Sequence, residues 1–235
     1  MKRAVNIIIM GPPGAGKSTQ AKAIAARYDL ASLSTGDMVR NEIKKGGELG
    51  EELRQIVARG DMAPESLMYR LVESSVSDIP KSQGFILDGF PRDEKQAIWF
   101  DDFLQSQGRK IDTAVEIAVD DENVVKRICG RFSCKECDAG YHKDFKQPKE
   151  ENECDDCGAV DSFHKRVDDS EDVVRNRVKI YKELTAGVLA LYKKTGRLVT
   201  VNGNGDADMI EKDIKTLLDK KLSLAKYKDF KKRGF

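Results

Sequence analysis

The sequence predicts an α/β fold with a parallel five-stranded sheet and helices on both of its faces. Short apolar runs rich in β-branched residues alternate with helical patterns, as in chains whose parallel strands are joined by crossover helices. A glycine-rich pattern follows the first apolar run, and a cysteine-bearing segment interrupts the alternation at residues 131–165. With 235 residues and 40% apolar residues, the chain suits one such domain with insertions, or two small domains.

Residues 11–19 fit the phosphate-binding pattern G-x-x-x-x-G-K-[ST]. The apolar run 5–10 before them is typical of a buried strand, and Ala21, Ile24 and Ala25 after them recur at helical spacing. Glycines let such a loop curl around an anion, and its N–H groups and the helix N-terminus then point at phosphate. The alternative is a glycine-rich turn with a solvated lysine, which the flanking strand and helix disfavour.

This loop predicts a nucleotide phosphate site with Mg²⁺. Lys17 is expected to supply charge to the β- and γ-phosphates, and Ser18 or Thr19 to hold the cation. Asp88 ends the apolar run 84–88, where an acid beside a phosphate loop is an outer-sphere acceptor for Mg²⁺. The predicted ATP-binding residues of the loop are Gly14, Ala15, Gly16, Lys17, Ser18 and Thr19.

The other elements follow in chain order. The sheet is completed by a very short strand at Leu33 and by the apolar runs 84–88, 114–119 and 197–201. The helical pattern of residues 41–60 is expected to break at Gly46, Gly47 and Gly50. Further helices are predicted around residues 67–72 and 96–99, where apolar residues recur at helical spacing.

The interrupting segment carries the cysteine pattern C-x2-C-x16-C-x2-C, formed by Cys134, Cys137, Cys154 and Cys157. This spacing predicts a four-thiolate zinc site, and a metal can replace the core that so short an insert lacks. Paired disulfides or unrelated thiols are the alternatives, disfavoured by the expected compartment and by the spacing. His142 and His164 are alternative ligands, and Cys129 lies outside the motif.

Six arginines stand near these segments: Arg40, Arg92, Arg127, Arg131, Arg166 and Arg177. The planar guanidinium binds phosphate oxygens in pairs and stays charged. Arg127 and Arg131 flank the entry to the cysteine segment, and Arg166 stands at its exit. This arrangement predicts a lid that brings positive charge onto bound phosphates.

Composition limits the other function classes. The net charge of +1 gives no argument for nucleic acid or an acidic membrane as partner, and no apolar run reaches membrane-spanning length. The N-terminal residues leave no room for a cleaved leader, so the expected location is the cytoplasm. Residues 220–235 hold seven Lys/Arg and three aromatics, which suit either a surface-binding arm or, as we favour, a packed helix end.

Taken in order, these motifs resemble those of adenylate kinases of the long bacterial type with a zinc-binding lid, to about Gly205. The resemblance implies Mg²⁺-dependent ATP + AMP ⇌ 2 ADP by direct in-line transfer. It also implies a structural Zn²⁺ on the four cysteines, a lid that excludes water, and a monomer with nucleotides as its only partners. The implied division is a core of residues 1–33, 64–130 and 168–235, a helical AMP-binding insert of residues 34–63, and a small β lid of residues 131–167.

The resemblance also implies roles for single residues. Gln96 would read the adenine edge. The implied AMP-binding residues are Thr35, Arg40, Asp61, Met62, Ala63, Gly89, Phe90, Pro91, Arg92, Gln96, Arg166 and Arg177. The implied ATP contacts beyond the loop are Arg131, Gly140, Tyr141 and Gly205. The implied catalytic residues are Lys17, Asp88, Arg92, Arg127, Arg131, Arg166 and Arg177.

Two departures from the family pattern stand out. Ser18 occupies a position where the family usually has glycine, which suggests that Ser18 takes the Mg²⁺ role and Thr19 a secondary one. Residues 185–187 stand where a proline is common, and we expect only a helix-start effect there, away from the chemistry.

Two rival functions remain open. A kinase for uridylate, cytidylate or guanylate would share the fold and differ at Thr35 and Gln96. A zinc-ribbon regulator that binds ATP and nucleic acid is disfavoured, because the many acidic residues of the cysteine segment would repel a phosphate backbone.

Overall fold

A computed structural model describes the backbone of residues 4–232 and the side chains of residues 4–222. In this part the chain forms eight helices and eight strands. Their bounds are β1 Asn6–Met10, α1 Lys17–Tyr28, β2 Leu30–Ser34, α2 Thr35–Lys45, α3 Gly47–Arg59, α4 Glu65–Ser77, β3 Gly84–Asp88, α5 Glu94–Ser106, β4 Thr113–Ala118, α6 Asp121–Cys129, β5 Arg131–Cys134, β6 Gly140–His142, β7 Phe163–His164, α7 Glu171–Lys194, β8 Leu198–Asn202 and α8 Ala207–Lys232.

The central sheet has the order β2-β3-β1-β4-β8, and all its strand pairs are parallel. β1 and β3 are buried along their whole length, as expected of inner strands covered on both faces. Ile9 pairs with Asp88 on one side and Val115 on the other, so the carboxyl ends of three strands lie together. The predicted parallel five-stranded sheet is confirmed, and this edge is where such sheets bind ligands.

Side chains of β1 alternate between two cores, as the two-residue period of a strand requires. Ile8 and Met10 pack into a core formed with helices α2–α5 and α7. Ile7 and Ile9 pack into a second core formed with α1 and α8. Helices therefore cover both faces of the sheet, as predicted.

The glycines of residues 41–60 behave differently from one another. Gly46 and Gly47 have φ of 78° and 79°; Gly46 lies between α2 and α3, and Gly47 begins α3, so the helical pattern breaks at these glycines as predicted. The expected break at Gly50 is wrong, because Gly50 lies inside α3. A Cβ there would stand 3.2 Å from the Glu42 carbonyl oxygen of α2, so this glycine allows two helices to pack closely.

The cysteine segment forms a separate small sheet of order β6-β5-β7, with antiparallel pairs. Phe132 and Tyr141 stack on it, and Phe163 packs edge-on against both rings. Such a short segment has little else to bury, which is consistent with a metal supplying part of its stability.

The helix start expected near residues 185–187 is wrong. Helix α7 runs unbroken for 24 residues through this site, and Thr185 is buried. In the described part of the chain, every helix is too short or too polar to span a bilayer. The prediction for the basic tail concerns side chains from residue 223 onward, which lie outside the described residues.

Candidate active site

The phosphate-binding loop joins the end of β1 to the start of α1. Gly14 and Gly16 have φ of 73° and 85°, which an L side chain rarely adopts. A Cβ on Gly11 would lie 2.6 Å from the Ile117 carbonyl oxygen of β4. The loop therefore needs its glycines both for conformation and for space. It ends at the N-terminus of α1, whose first turn contains no acidic residue, so the positive end of this helix faces the loop.

Lys17 lies folded over this loop. Its Nζ donates hydrogen bonds to the Gly11 oxygen at 3.0 Å and to the Pro12 oxygen at 2.9 Å. The pKa of Lys17 is lowered to about 8, chiefly because the ammonium is buried; the charge of Asp88 opposes this shift, and nearby arginines, led by Arg92, contribute to it. A bound anion would offset this penalty, so the free site is electrostatically prepared for phosphate.

Asp88 and Ser18 form a pair of oxygen donors at the edge of the loop. The Ser18 hydroxyl donates to Asp88 Oδ2 at 2.7 Å, and Asp88 is only 5% exposed. The sheet creates this contact, because Asp88 pairs with Ile9 just before the loop begins. A hard cation such as Mg²⁺ prefers oxygen ligands, so the two residues fit such an ion. The structure thus brings the predicted Ser18 and Asp88 together.

An open cleft lies between this loop and the helical insert. All the predicted AMP-binding residues except Arg166 line it: Thr35, Arg40, Asp61, Met62, Ala63, Gly89, Phe90, Pro91, Arg92, Gln96 and Arg177. Lys17 lines the same cleft, so the loop lysine and the insert face one space.

Gln96 sits in the wall of this cleft with a fixed orientation. It is 2% exposed, and its Oε1 accepts the Arg92 backbone N–H at 2.9 Å. Because a backbone N–H can only donate, the carbonyl end of the amide must face Arg92. The NH₂ end of Gln96 is therefore the end available to a ligand.

Backbone contacts place Arg92 and Thr35 side by side. Arg92 Nε donates to the Gly89 oxygen at 3.0 Å, and the Thr35 hydroxyl donates to the Asp88 oxygen at 3.2 Å. Gly89 has a φ of 87°, and a Cβ on it would lie 2.3 Å from Thr35 Oγ1. Only glycine fits here, so the turn after β3 allows both side chains to face the cleft.

Acidic partners hold the arginines of the lid and of α7. Arg131 makes a two-pronged contact with Asp169, at 3.0 and 2.5 Å, and Arg177 donates to Asp168 at 2.5 Å. Arg127 instead donates to the Gly205 oxygen at 2.9 Å. The sequence does not identify Asp168 and Asp169 as these partners, because a partner chosen by tertiary contact leaves no local pattern.

The arginines also repel one another. Burial lowers the pKa of Arg166 to about 10, and the charges of Arg131 and Arg40 add to the effect. Arg40 pairs with Asp37, yet its Nε is buried without a partner among the described residues. A polyanionic ligand would relieve this repulsion and satisfy that donor.

Sequence reasoning missed four residues of α7 that line the cleft: Ile180, Tyr181, Leu184 and Thr185. The Thr185 hydroxyl donates to the Arg92 backbone oxygen at 3.2 Å, so this position is not remote from the site. Tyr181 and Thr185 follow Arg177 by four and eight residues, the spacing of one helix face. That spacing was the available signal.

The four cysteines of the lid form a compact group. Their sulfurs all lie within 4.8 Å of one another, with 3.7 Å between Cys134 and Cys157 and 3.6 Å between Cys137 and Cys154. Zn–S bonds of about 2.3 Å would place two sulfurs of a tetrahedron about 3.8 Å apart, whereas a disulfide requires about 2.05 Å. The donor set and spacing therefore fit a four-thiolate zinc site.

Neither of the alternative histidine ligands belongs to this group. His142 Nδ1 accepts backbone N–H groups from Asp144 and Phe145, and its Nε2 faces the Lys126 oxygen. Both of its nitrogens are engaged at the base of the lid. Cys129 lies outside the four-sulfur group, as the spacing predicted.

The predicted ATP contacts beyond the loop do not line the cleft of the helical insert: Arg131, Gly140, Tyr141 and Gly205. Arg127, predicted as a catalytic residue, does not line it either. Gly140 and Tyr141 lie on β6. The Tyr141 side chain is 2% exposed and turns toward the cysteines, so a contact from this residue to ATP would use its backbone.

The chain is similar to known proteins over most of its length. A family model described as adenylate kinase matches residues 9–197. An adenylate kinase of Archaeoglobus fulgidus is 40% identical over 216 residues, which are 92% of this chain and 99% of that protein. Adenylate kinases of Enterococcus faecalis and Pyrococcus furiosus are 39% and 40% identical over 215 residues, covering 92% of this chain and 99% and 96% of those proteins.

Proposed function

Because this chain belongs to the adenylate kinase family, we propose that it transfers the γ-phosphoryl group of ATP to AMP in one in-line step, with Mg²⁺. The observation that carries the proposal is the shared cleft, in which the loop lysine Lys17 and the arginines Arg92 and Arg177 face the residues of the helical insert. A donor phosphate on the loop and an acceptor phosphate on the arginines would meet there. The enzyme is a nucleoside monophosphate kinase, a phosphotransferase.

Catalysis in this proposal is alignment and charge neutralisation. The attacking oxygen belongs to a phosphate that is already ionised, so no strong general base is required. Lys17 on the donor side and Arg92 and Arg177 on the acceptor side would stabilise the charge of the transferred group. When bound, Mg²⁺ would supply further positive charge to the phosphates. Ser18 and Asp88 would hold it, because their oxygens lie 2.7 Å apart at the mouth of the loop.

Gln96 supports AMP as the acceptor. Its NH₂ end is the end free to face a base. Ring N1 of adenine accepts a hydrogen bond, whereas N1 of guanine carries a proton and would oppose the amide. A mismatch that leaves a buried amide unpaired costs about 1–3 kcal/mol. This geometry disfavours the rival guanylate kinase reading, and the family match disfavours the zinc-ribbon regulator.

Closure of the lid over the nucleotides is the remaining part of the proposal. Lys44 Nζ of α2 lies 3.3 Å from Oδ2 of Asp138, the residue after Cys137 in the lid, so the helical insert and the lid meet across the cleft. We assign residues 34–63 to AMP binding and residues 131–167 to a lid that excludes water and so suppresses ATP hydrolysis. The four-cysteine metal, which we take to be Zn²⁺, is structural because four thiolates leave no open coordination position. We expect a cytoplasmic monomer whose partners are nucleotides, with neither nucleic acid nor membrane among them.

A coupled assay of ADP production tests this function, with ATP and AMP, GMP, CMP or UMP supplied in turn. We expect AMP to be preferred by about fivefold or more over each of the others. Gln96→Leu should lose that preference, whereas Gln105→Leu, an exposed glutamine on the same helix, should keep it. Equal turnover of CMP and AMP by the unaltered protein would overturn the assignment of the acceptor.

A further inference from the structure

The Tyr141 hydroxyl stands between the lid sheet and one of the four cysteines. It lies 3.4 Å from Cys154 Sγ, and the Asp155 backbone N–H points at the same hydroxyl oxygen from 2.7 Å. We propose that Tyr141 is a positioning residue of the metal site: its hydroxyl donates a hydrogen bond to the Cys154 thiolate, and this bond sets how tightly the four cysteines hold their metal. The inference rests on the proposed metal site and extends it beyond its four ligands.

The direction of the bond follows from counting protons. A phenol has one proton and can both donate and accept. The Asp155 N–H can only donate, so the Tyr141 oxygen must be the acceptor in that contact. The phenolic proton is left for the other neighbour, the sulfur of Cys154. Since Tyr141 is 2% exposed, no bulk water competes for this proton.

The sulfur needs such a donor. Four thiolates on a divalent metal carry a net charge of −2, and Cys154 is only 1% exposed. Backbone N–H groups of Asp156 and Cys157 also face this sulfur. Donors of this kind fix a ligand and its charge, and their removal commonly weakens metal binding by about 10–100-fold.

The two C-x2-C pairs differ in how well a hydroxyl donor is placed at their first cysteine. Cys134 is the first cysteine of the other C-x2-C pair, and the Ser162 hydroxyl lies 3.2 Å from its sulfur. However, Ser162 Oγ also lies 3.3 Å from the Ala159 oxygen, and a single proton cannot serve both. Among the described residues, the Tyr141 hydroxyl has no second acceptor that competes for its proton. The bond at Cys154 is therefore the better defined of the two.

Tyr141 also connects the metal to the lid sheet. Its ring packs against Phe132 and Phe163, with centroids 5.6 and 4.9 Å away. It belongs to β6, next to the exposed Gly140. Loss of the metal would therefore disturb β6, the strand that is predicted to contact ATP.

The test compares Tyr141→Phe with the unaltered protein and with Tyr28→Phe. Phenylalanine keeps the packed ring and removes only the hydroxyl. Tyr28 is the matched control, because its hydroxyl bonds Asp219 on the core and not the lid. Two properties are measured: the zinc dissociation constant by competition with a chromophoric chelator, and the thiolate-to-metal charge-transfer band of the Co²⁺-loaded protein.

We expect the dissociation constant for zinc to rise about 10–100-fold in Tyr141→Phe, with no change in Tyr28→Phe. The cobalt band should move to lower energy, because a thiolate without its hydrogen bond is a better electron donor. An unchanged zinc affinity in Tyr141→Phe would overturn the proposal. A weaker affinity with an unmoved cobalt band would also overturn it, because that result indicates lost packing and not a lost hydrogen bond. If the unaltered protein itself binds no zinc or cobalt, the proposed metal site fails and this inference with it. If the unaltered protein binds the metal and Tyr141→Phe binds it equally well, the metal site stands and only the role of Tyr141 fails.

Discussion

The contact between Thr185 and Arg92 makes a prediction about AMP binding. Thr185→Val replaces the hydroxyl by a methyl group of similar shape and leaves the Arg92 carbonyl without its 3.2 Å partner. Thr185 is 4% exposed, so water cannot easily take the place of the hydroxyl. Leaving a buried acceptor unpaired costs about 1–3 kcal/mol. If that cost falls on the position of Arg92, the KM for AMP should rise about 5- to 150-fold.

The measurement is an initial-rate assay in which ATP and AMP are varied separately. We expect the KM for AMP to rise and the KM for ATP to stay near its original value, because Thr185 reaches the acceptor wall and not the phosphate loop. Thr185→Ser keeps the hydroxyl and should restore binding. Thr195→Val is a second control, since Thr195 is an exposed residue that caps the same helix far from the cleft.

Three results would refute this reasoning. The first is an equal rise in both KM values, which would indicate a general loss of structure. The second is no rise in either. The third is a serine variant as impaired as the valine variant, which would show that the methyl group and not the hydroxyl matters.

Four further predictions follow from other parts of the chain. Lys17→Met should lower turnover about a thousandfold or more with thermal unfolding unchanged, because the loop loses the charge that stabilises the transferred phosphoryl group. The value of kcat/KM for ATP should fall as the pH rises above about 8, because Lys17, with its pKa lowered to about 8 in the free enzyme, loses its proton there. Cys154→Ser should weaken zinc binding and add an early thermal transition, while substantial low-temperature activity remains. Gly187→Ala should raise the unfolding temperature by about 2–4 °C, since it removes a glycine from the interior of α7, where a Cβ would make only ordinary contacts at 3.5 Å with Glu94.

Each of these has a control or a contradicting result. A Lys17→Met variant that keeps a tenth of the activity would contradict the role of the loop, and a flat pH profile up to 10 would contradict the lowered pKa. A Cys154→Ser variant as inactive as Lys17→Met, with its fold intact, would place the metal in the chemistry. Gly50→Ala is the control for Gly187→Ala: its Cβ would meet the Glu42 carbonyl at 3.2 Å, so it should give no stabilisation.

Much of the fold could be predicted because its signals are local. The phosphate loop depends on glycines within nine residues and on a strand and a helix that adjoin them. The two C-x2-C pairs depend on spacings of two residues, and the inner strands depend on continuous apolar runs. In each case the residues that determine the structure are close in the chain, so the pattern survives without knowledge of the tertiary fold.

Local reasoning failed where a second element decides the outcome. Gly50 resembles a helix breaker, yet it lies within α3 because the backbone of α2 packs against it. Residues 185–187 resemble a helix start, yet α7 passes through them because its buried face is continuous on both sides. Packing against a neighbouring element overrides a single-residue preference of about 1 kcal/mol.

By itself, the sequence determined the class of fold, the phosphate loop, the four metal-ligand candidates and the set of arginines. Only the tertiary structure decided which groups pair. Ser18 meets Asp88 across 70 residues, Arg131 meets Asp169 across 38, and Thr185 meets the backbone of Arg92 across 93. Hydrogen bonds require donor and acceptor within about 3 Å. Such distances are set by the register of parallel strands and the packing of α7 on the sheet, which depend on contacts between elements distant in the chain.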